Sequence, residues 1–229
     1  MKTKNILLAA LIVIISSVSV ALFGQDMCGL PSFDRIIVSQ GVCVIYKQSQ
    51  RQKVEVVSSR ANVLDDVVTN VRNGILEIGL KSDHNVRKSD VITIYVESPS
   101  LKEVYTLKGA SFRSNKISGV DYFRVIQNKE SFVDITELDV KKDIELLVFG
   151  ESKLNLKKLT ANTLNLALKK NSRSNIKEVD IRSGINVVSE GDSFASIGGE
   201  TPKLRLKGVS MKCLDTRNLA CNSIDFLGI

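Results

Sequence analysis

Residues 131–151 read SFVDITELDVKKDIELLVFGE, and residues 152–171 read SKLNLKKLTANTLNLALKKN. Both segments begin with a serine, and both contain stretches with an apolar residue at every second position, such as Leu164, Leu166 and Leu168. Alternation with a period of two is typical of β-strands, whereas a helix brings apolar residues back after three or four positions. The two segments therefore predict a repeated unit that is built of strands.

The repeat continues on both sides of these segments, and serines mark its period with spacings of 20, 21, 20, 21 and 17 residues. The serine column contains Ser111, Ser131, Ser152, Ser172, Ser193 and Ser210. Six positions before the serines stand Tyr105, Val125, Leu146, Leu166, Val187 and Leu204. Four positions after them stand Asn115, Ile135, Leu156, Ile176, Ile197 and Leu214. Two positions before them stand Gly109, Lys129, Gly150, Lys170, Gly191 and Gly208.

Columns of this kind arise in stacked coils, because each coil buries its inward side chains against the same positions of the next coil. We therefore predict an all-β fold in which residues 101–220 form a right-handed parallel β-solenoid with coils of about 20 residues. A leucine-rich or helical repeat is the alternative, and the period-two spacing within each unit disfavours it.

The preceding residues, 33–100, predict a block of short strands, because apolar residues alternate within stretches such as 42–46 and 92–96. Asn73 and Gly74 stand between two such stretches and predict a type I′ hairpin turn, in which both central residues must tolerate positive φ. Residues 62–68 have a spacing of apolar residues that predicts one short helical turn.

The N-terminus has the order of a secretory signal peptide: Lys2 and Lys4 come first, an apolar run over residues 6–15 follows, and small residues come next. We predict cleavage after Gly24, which gives a signal peptide of residues 1–24 and a single domain of residues 25–229. An uncleaved membrane anchor is the alternative, because the apolar stretch approaches the roughly 20 residues that span a bilayer. Cleavage would remove two lysines and no acid, so the net charge would fall from +7 to +5.

This small positive excess suits weak attraction to an anionic polymer, and we expect no nucleic-acid partner, because the basic residues are spread along the chain without interleaved aromatic residues. The four cysteines, Cys28, Cys43, Cys213 and Cys221, could pair in three ways, and their spacing selects none of them. No Cys-x-x-Cys occurs and His84 is the only histidine, so we expect no zinc site and no cofactor.

Several stretches resemble one known family. They read FDRIIVSQGV at 33–42, VIY at 44–46, VEV at 54–56, GILEI at 74–78, VITIYV at 91–96, PSL at 99–101 and GAS at 109–111. Through these residues, the chain from residue 33 to about 215 is similar to the "putative auto-transporter adhesin head GIN domain" family, a domain of unknown function in exported proteins of Gram-negative bacteria. The resemblance implies a β-helical fold and an adhesin-like function, and it supplies no catalytic residues. The family's corner sequence, Ser-Gly-Ser-Gly-Asp, is degenerate in this chain.

Two columns of the repeat are candidate sites. The acidic column, one position before the serines, contains Glu130, Glu151 and Asp192. Stacked carboxylates can bind Ca²⁺ or act as acid and base, but charged residues on turns are usually solvated. The aromatic column, one position after the serines, contains Phe112, Phe132 and Phe194, which could stack on sugar rings or pack in the core. We predict no catalytic, cofactor-binding or metal-binding residues, and the residues that bind a ligand are unknown.

These observations favour an exported, non-enzymatic surface or secreted protein that binds a glycan or another envelope component. One alternative is a polysaccharide-acting β-helix enzyme that uses the acidic column. Another is a structural solenoid that self-associates through its ends, because residues 221–229 are apolar and a solitary solenoid usually has a polar cap. We expect no membrane span after cleavage, and a location in the periplasm, on the outer surface or outside the cell.

Overall fold

The computed structural model describes residues 23–27, 29–81 and 90–227. Most of the predicted signal peptide, Cys28 and His84 lie outside these residues. The described chain is almost entirely β-structure, and about six turns of parallel β-solenoid, with coils of about 21 residues, follow a block of short strands. The predicted all-β class and the β-solenoid are confirmed. Among the described residues, no helix is both long enough and apolar enough to cross a membrane.

The elements fall into an N-terminal block and a repeated half. The N-terminal block comprises β1 (Phe23–Met27), β2 (Arg35–Ser39), β3 (Cys43–Gln48), β4 (Lys53–Ser58), α1 (Ala61–Leu64), β5 (Val67–Arg72), β6 (Ile75–Leu80) and β7 (Ile92–Ser98). The repeated half comprises β8 (Glu103–Leu107), β9 (Ser111–Asn128), β10 (Phe132–Phe149), β11 (Lys153–Lys169), β12 (Arg173–Ser189), β13 (Phe194–Lys207), a 3₁₀ helix (Met211–Cys213), β14 (Leu214–Asp215) and β15 (Leu219–Leu227).

Each long strand, β9 to β13, follows most of one coil and pairs in parallel with the strand before and after it. In β9 the alternation of buried and exposed residues breaks three times. At 118–119 Gly119 is an extra residue relative to β10. At 115–116 and at 121–122 two neighbouring residues are both exposed. The chain bends at these points and keeps its apolar residues inward on both sides of the bend. The strand therefore has a first face (111–114), a second face (117–120) and a third face (123–128), and later coils repeat them in register.

The third corner of the coils is formed by residues with positive φ, which come in pairs from Lys108 and Gly109 to Lys170 and Asn171, while Gly191 is alone at the next corner. Lys129 and Glu130 have φ of 56° and 61°, and Lys170 and Asn171 have φ of 56° and 59°. Residues other than glycine reach this left-handed region at a cost of about 1–2 kcal/mol, so the stacking of the coils must hold them there. The predicted corner column is confirmed for Lys129, Gly150, Lys170 and Gly191, which all have positive φ. Its ends are out of register, because Gly109 is level with Glu130 and Gly208 follows the pair of Lys207 with Val188.

The core is one continuous cluster, and its columns follow the coils. The predicted stack of Leu146, Leu166 and Val187 is confirmed, since consecutive members are register partners and each is at most 1% exposed. The ends of that column were predicted wrongly. Tyr105 pairs with Ile126, one position off the column, and Leu204 pairs with Ile185, two positions off it.

The cause of these errors is the choice of serines. Ser131 lies in register with Ala110, because Phe132 pairs with Ser111. If the first coil is aligned on Ser111, its register is therefore shifted by one residue. Such a shift assigns each side chain to the wrong side of the sheet. For this reason Asn115, which the serine spacing places in one column with Ile135 and Leu156, is exposed, and Phe112 is inside. If the last coil is aligned on Ser210, its register is shifted by two residues. A shift of two residues leaves each side chain on the same side of the sheet, so Leu204 and Leu214 are buried although their predicted partners were wrong.

The remaining serines form an inward ladder directly after the positive-φ corner. Ser131, Ser152, Ser172 and Ser193 are at most 1% exposed. The hydroxyl of Ser152 accepts a hydrogen bond from the backbone N–H of Ser131 at 3.2 Å, and Ser193 does the same for Ser172 at 3.3 Å. A buried N–H without a partner is costly, so the serines satisfy backbone groups that the corner leaves unpaired.

The N-terminal block adds further strands to the same stack, and the spatial order of these strands differs from their order along the chain. β2 pairs in parallel with β8 and β6, while β3 pairs in parallel with β9 and β7. The pair β2–β3 is thus a partial coil, and Gln40 and Gly41, both with positive φ, form its corner. The strands β6 and β7 lie on its outer side.

Antiparallel strands close this end of the stack: β5 pairs with β6, β4 with β7, and β1 with β4. The predicted hairpin at Asn73 and Gly74 joins β5 to β6, and both residues have positive φ. The predicted helical turn at 62–68 is too long, because α1 ends at Leu64 and β5 begins at Val67. β1 spans the predicted cleavage point after Gly24.

The opposite end is formed by β15, which pairs in parallel with β13. Ile224 and Phe226 are in register with the buried residues Leu204 and Leu206. Phe226 is nevertheless 65% exposed, because no described residue covers it. The last described coil therefore presents core positions to solvent.

Candidate functional site

A groove of about 830 Å³ with exposed apolar walls lies where the N-terminal block meets the repeated half. Four strands cross the first face there in the order β7, β3, β9 and β10. β3 pairs with β9 only as far as Tyr46 and Ser114, because β9 bends at the next two residues while β3 continues to Gln48. The separation of the two strands opens the space that we call the first-face groove.

Gln48 fixes this separation. Its side-chain Nε2 donates to the carbonyl oxygens of Pro99 and Ser118, both at 3.0 Å, and its Oε1 accepts from the N–H of Ser118 at 2.9 Å. Below the groove, the rings of Tyr46 and Phe112 are stacked with centroids 6.0 Å apart. The Tyr46 hydroxyl donates to the carbonyl oxygen of Ser98 at 3.1 Å, and burial raises the pKa of this phenol. The floor is therefore tied together by buried packing and hydrogen bonds.

Two apolar side chains form the exposed surface of the groove. Ile45 and Tyr95 are register partners on β3 and β7, and they are 36% and 43% exposed. Both point outward because their neighbours in sequence, such as Val44 and Val96, are fully buried. A tyrosine ring offers a flat apolar surface and a hydroxyl that can bind a polar ligand.

Polar side chains surround this apolar surface. Besides Lys116, which pairs with Glu137, the polar lining includes Lys47, Gln50, Glu97, Arg113, Asn115 and Asp134. Among the residues that the structure describes, none of the six takes part in a side-chain hydrogen bond or an ion pair. The Arg113 guanidinium lies 5.8 Å from the ring centroid of Phe132, a cation–π distance. The groove therefore offers donors and acceptors of both charges beside an aromatic ring.

The third face differs in this respect, because its outward polar groups contact one another. Arg124 Nε lies 2.6 Å from Glu145 Oε2, and the hydroxyl of Tyr122 donates to the same oxygen at 2.9 Å. Burial and this carboxylate raise the pKa of Tyr122 to about 12. Farther along, Asn186 donates to Asn165 at 2.7 Å. A column of half-buried apolar residues that includes Leu147 lies beside this ladder.

The predicted acidic column lies on the corner of the coils, outside the first-face groove. Glu130 and Glu151 are on neighbouring coils and line a second cavity of about 920 Å³. Asp192 is exposed two coils beyond Glu151, and Asn171 occupies the coil between them. All three acidic side chains are exposed, as expected for solvated turn residues.

The predicted aromatic column is divided between the core and the surface. Phe112 is fully buried, for the reason of register given above. Phe132 and Phe194 point outward on the first face, separated by Lys153 and Arg173 on the intervening coils. The second cavity is lined by Phe132, Lys153 and Arg173 together with the acidic corner.

The other predicted site residues form no cluster. Within residues 23–27, 29–81 and 90–227, no three histidine, cysteine or acidic side chains are close enough together to hold a metal ion. Among the described residues, Cys43, Cys213 and Cys221 form no disulfide with one another. Cys28 lies outside the described residues.

The sequence did contain a signal for the two apolar groove residues. In residues 42–46 and 92–96, every second residue is apolar and inward, so the apolar residues between them, Ile45 and Tyr95, must point outward. Their adjacency could not be predicted, because it depends on the parallel pairing of β3 with β7 across 43 residues that contain other strands.

No curated protein sequence matches the chain. Three crystal structures are similar to it in fold. A putative adhesin from Bacteroides fragilis NCTC 9343 is 14% identical, with a TM-score of 0.58 over 91% of this chain and 96% of that one. A putative adhesin from Parabacteroides merdae ATCC 43184 is 18% identical, with a TM-score of 0.57 over 90% and 96%. A putative adhesin from Parabacteroides distasonis ATCC 8503 is 16% identical, with a TM-score of 0.56 over 92% and 98%.

These identities are low enough that the likeness shows the fold alone. The family is shown by a sequence model, described as "putative auto-transporter adhesin, head GIN domain", which matches residues 32–224. The match spans both the N-terminal block and the repeated half. Because it covers most of the chain, this protein belongs to that family of adhesin-like head domains.

Proposed function

We propose that the protein is an exported, non-enzymatic binding module that holds a glycan in the first-face groove. The family is adhesin-like, which supports a surface or exported location and a binding role. The proposal goes further in naming a glycan as the ligand and in naming the residues that contact it.

The observation that carries the proposal is the pairing of an exposed aromatic ring with unpaired polar groups. A sugar ring has an apolar face of C–H groups that packs on an aromatic ring, and its hydroxyls both donate and accept hydrogen bonds. Tyr95 and Ile45 supply the apolar surface, while Arg113, Asn115 and Asp134 supply donors and acceptors. A mostly apolar concavity with a few polar groups that fix orientation is the usual form of a small-ligand site.

The carboxylates of the groove are poorly placed for glycoside hydrolysis. Glu97 is on β7 and Asp134 is on β10, three strand spacings away, which corresponds to about 14 Å. Glycosidases hold their two carboxyl groups about 5–9.5 Å apart. Glu130 and Glu151 are closer together, but they are exposed on a turn, whereas a general acid needs a desolvated setting. A binding role therefore fits the described residues better than catalysis does.

A glycan array tests the proposal, with wild type compared with Tyr95→Ala. We expect wild type to bind a set of glycans and Tyr95→Ala to lose about tenfold or more in affinity for them, because base–aromatic and similar stacking contacts are worth about 1–3 kcal/mol. Tyr122→Ala is the matched control, since this tyrosine is 38% exposed at the bend before the third face, outside the groove. Absence of glycan binding, or equal losses in both variants, would contradict the proposal.

Export is a separate part of the proposal, and it rests on the charged, apolar and small-residue order of residues 1–24. We expect protein recovered from the cell envelope or the medium to begin near Gln25. N-terminal sequencing measures this, and retention of Met1 would favour the membrane-anchor alternative.

Self-association is a second candidate function, supported by Ile224, Phe226 and Leu227, which are exposed on the last described strand. Ile224 and Phe226 are core positions, and within the described part of the chain β15 pairs on one side only. Exposed apolar residues at such a strand edge favour contact with another sheet. Sedimentation velocity over a range of concentrations, with Phe226→Asp as the variant, tests this candidate. A monomer at all concentrations would rule it out.

A further inference from the structure

We propose that the first face carries a second subsite, formed by Phe132, Lys153 and Arg173, which binds the carboxylate groups of an acidic polysaccharide. This inference rests on the proposed function, because the same chain of sugars would occupy the first-face groove. It adds the class of ligand and the direction in which the ligand runs, which is along the stack of coils.

The three side chains are held in line by the register of the solenoid. Phe132 pairs with Lys153, and Lys153 pairs with Arg173, so all three occupy one outward position on consecutive coils. Neighbouring coils are about 4.8 Å apart. The three residues line the cavity of about 920 Å³ next to the corner of the coils. The arrangement resembles a row of evenly spaced contacts for a linear polymer.

The two cations of this row lack partners. Neither Lys153 nor Arg173 has an ion pair or a side-chain hydrogen bond within the described part of the chain. Other lysines of the same coils are paired, as Lys169 is with Glu190 at 2.7 Å. Like charges directly opposite each other on neighbouring strands are destabilising. A bound anion would remove that repulsion, which is why we assign the row to an anionic group.

The row is continuous with the first-face groove. Arg113 lines the groove, Phe132 lines the second cavity, and the Arg113 guanidinium lies over the Phe132 ring at 5.8 Å. A ligand chain that leaves Tyr95 along the first face therefore passes Arg113 and Phe132 before it reaches Lys153 and Arg173. One extended polymer can contact both sites.

The acidic corner favours a polysaccharide over a nucleic acid. Glu130 and Glu151 line the same cavity as the two cations. They would repel the dense phosphate charge of a nucleic acid, whose binding depends on basic residues along its backbone. A uronic acid residue places one carboxylate among several hydroxyls, so its carboxylate can bind the cations while its hydroxyls donate to the glutamates.

The test uses the full chain and two forms of one polymer, polygalacturonate and its methyl ester, in which the carboxylates are neutral. We expect wild type to bind polygalacturonate more tightly, and this preference to weaken as salt concentration rises. The double variant Lys153→Gln/Arg173→Gln should lose about tenfold or more in affinity for polygalacturonate and should bind the methyl ester as wild type does. Tyr95→Ala should weaken the binding of both forms.

The matched control is Lys141→Gln/Lys142→Gln. It also removes two positive charges, but at another corner, where both lysines pair with Asp121. An equal loss in this control would show that net charge alone governs binding and would overturn the subsite. If wild type binds the two polymers equally and Tyr95→Ala weakens the binding of both, the subsite is overturned while the proposed glycan site in the first-face groove is supported. Binding of neither polymer would also overturn the subsite, and the glycan array then decides the proposed function separately. Stronger binding of single-stranded DNA than of polygalacturonate would overturn the polysaccharide in favour of a nucleic acid.

Discussion

The first and third faces of the solenoid share one backbone repeat, yet their outward polar groups are arranged differently. On the third face, Arg124, Glu145 and Tyr122 contact one another, and the amides of neighbouring coils are hydrogen-bonded. On the first face, Arg113 and Asp134 lack polar side-chain contacts within the described residues, beside the exposed ring of Tyr95. Regular stacking therefore provides the scaffold, and the choice of outward side chains decides which face is free to bind.

The two faces also differ in how they are built at the N-terminal end. β2, β6 and β8 continue the third face without a gap, whereas on the first face β3 leaves β9 after Tyr46. The departure of this strand from the regular ladder opens the first-face groove. A partial coil inserted out of chain order is thus the physical origin of the candidate site.

The largest expected effect on stability is the difference between an inward and an outward leucine on the third-face strands. Leu166→Ala removes a core side chain that is 1% exposed, and we expect it to lower the free energy of unfolding by about 2–5 kcal/mol. Leu147→Ala, on the outward side of the preceding coil, should cost less than about 1 kcal/mol. Chemical denaturation of both variants measures the difference. Similar losses in the two variants would contradict the assigned register.

A smaller effect compares a paired carboxylate with an unpaired one. Glu145→Gln removes the charge that Arg124 and Tyr122 share, and we expect a loss of about 1–2 kcal/mol in stability with glycan binding unchanged. Asp134→Asn should change stability by less than about 0.5 kcal/mol and should weaken glycan binding. Denaturation and binding measurements on the same two variants check this. The comparison between the faces is contradicted if Asp134→Asn lowers stability and Glu145→Gln weakens glycan binding.

The smallest effect concerns the acidic corner. Replacing Glu130 and Glu151 by glutamine and Asp192 by asparagine should change stability by less than about 1 kcal/mol, because isolated surface charges contribute little. Melting in millimolar Ca²⁺ and in chelator should give the same temperature for wild type and for the triple variant. A rise with Ca²⁺ that occurs only in wild type would show that the corner binds the ion, since binding to the native state raises its stability.

The parts that the sequence predicted correctly are those set by local periodicity. Alternation identified the strands, and the spacing of Leu146, Leu166 and Val187 identified a core column, because both depend on neighbouring residues or on one coil length. Ser111 misled the count, since a serine one residue beyond the ladder looks the same in sequence as Ser131, which lies in it.

The site could not be predicted in the same way. Tyr95, Ile45 and Arg113 come from three separate segments, and they meet because β7 and β3 join the stack out of chain order. The repeat provides no information on that order. A sequence can therefore show that Tyr95 points outward without showing which residues lie beside it.

The central claim is that a ligand occupies the first-face groove, and hydrogen–deuterium exchange with a glycan selected on the array tests it most directly. We expect the bound glycan to slow exchange in residues 43–50, 92–98 and 111–118, which form the groove. Exchange in the third-face residues 123–128 and in β15 should stay unchanged. Protection that is confined to the third face or to β15, with none in β3 and β7, would contradict the claim.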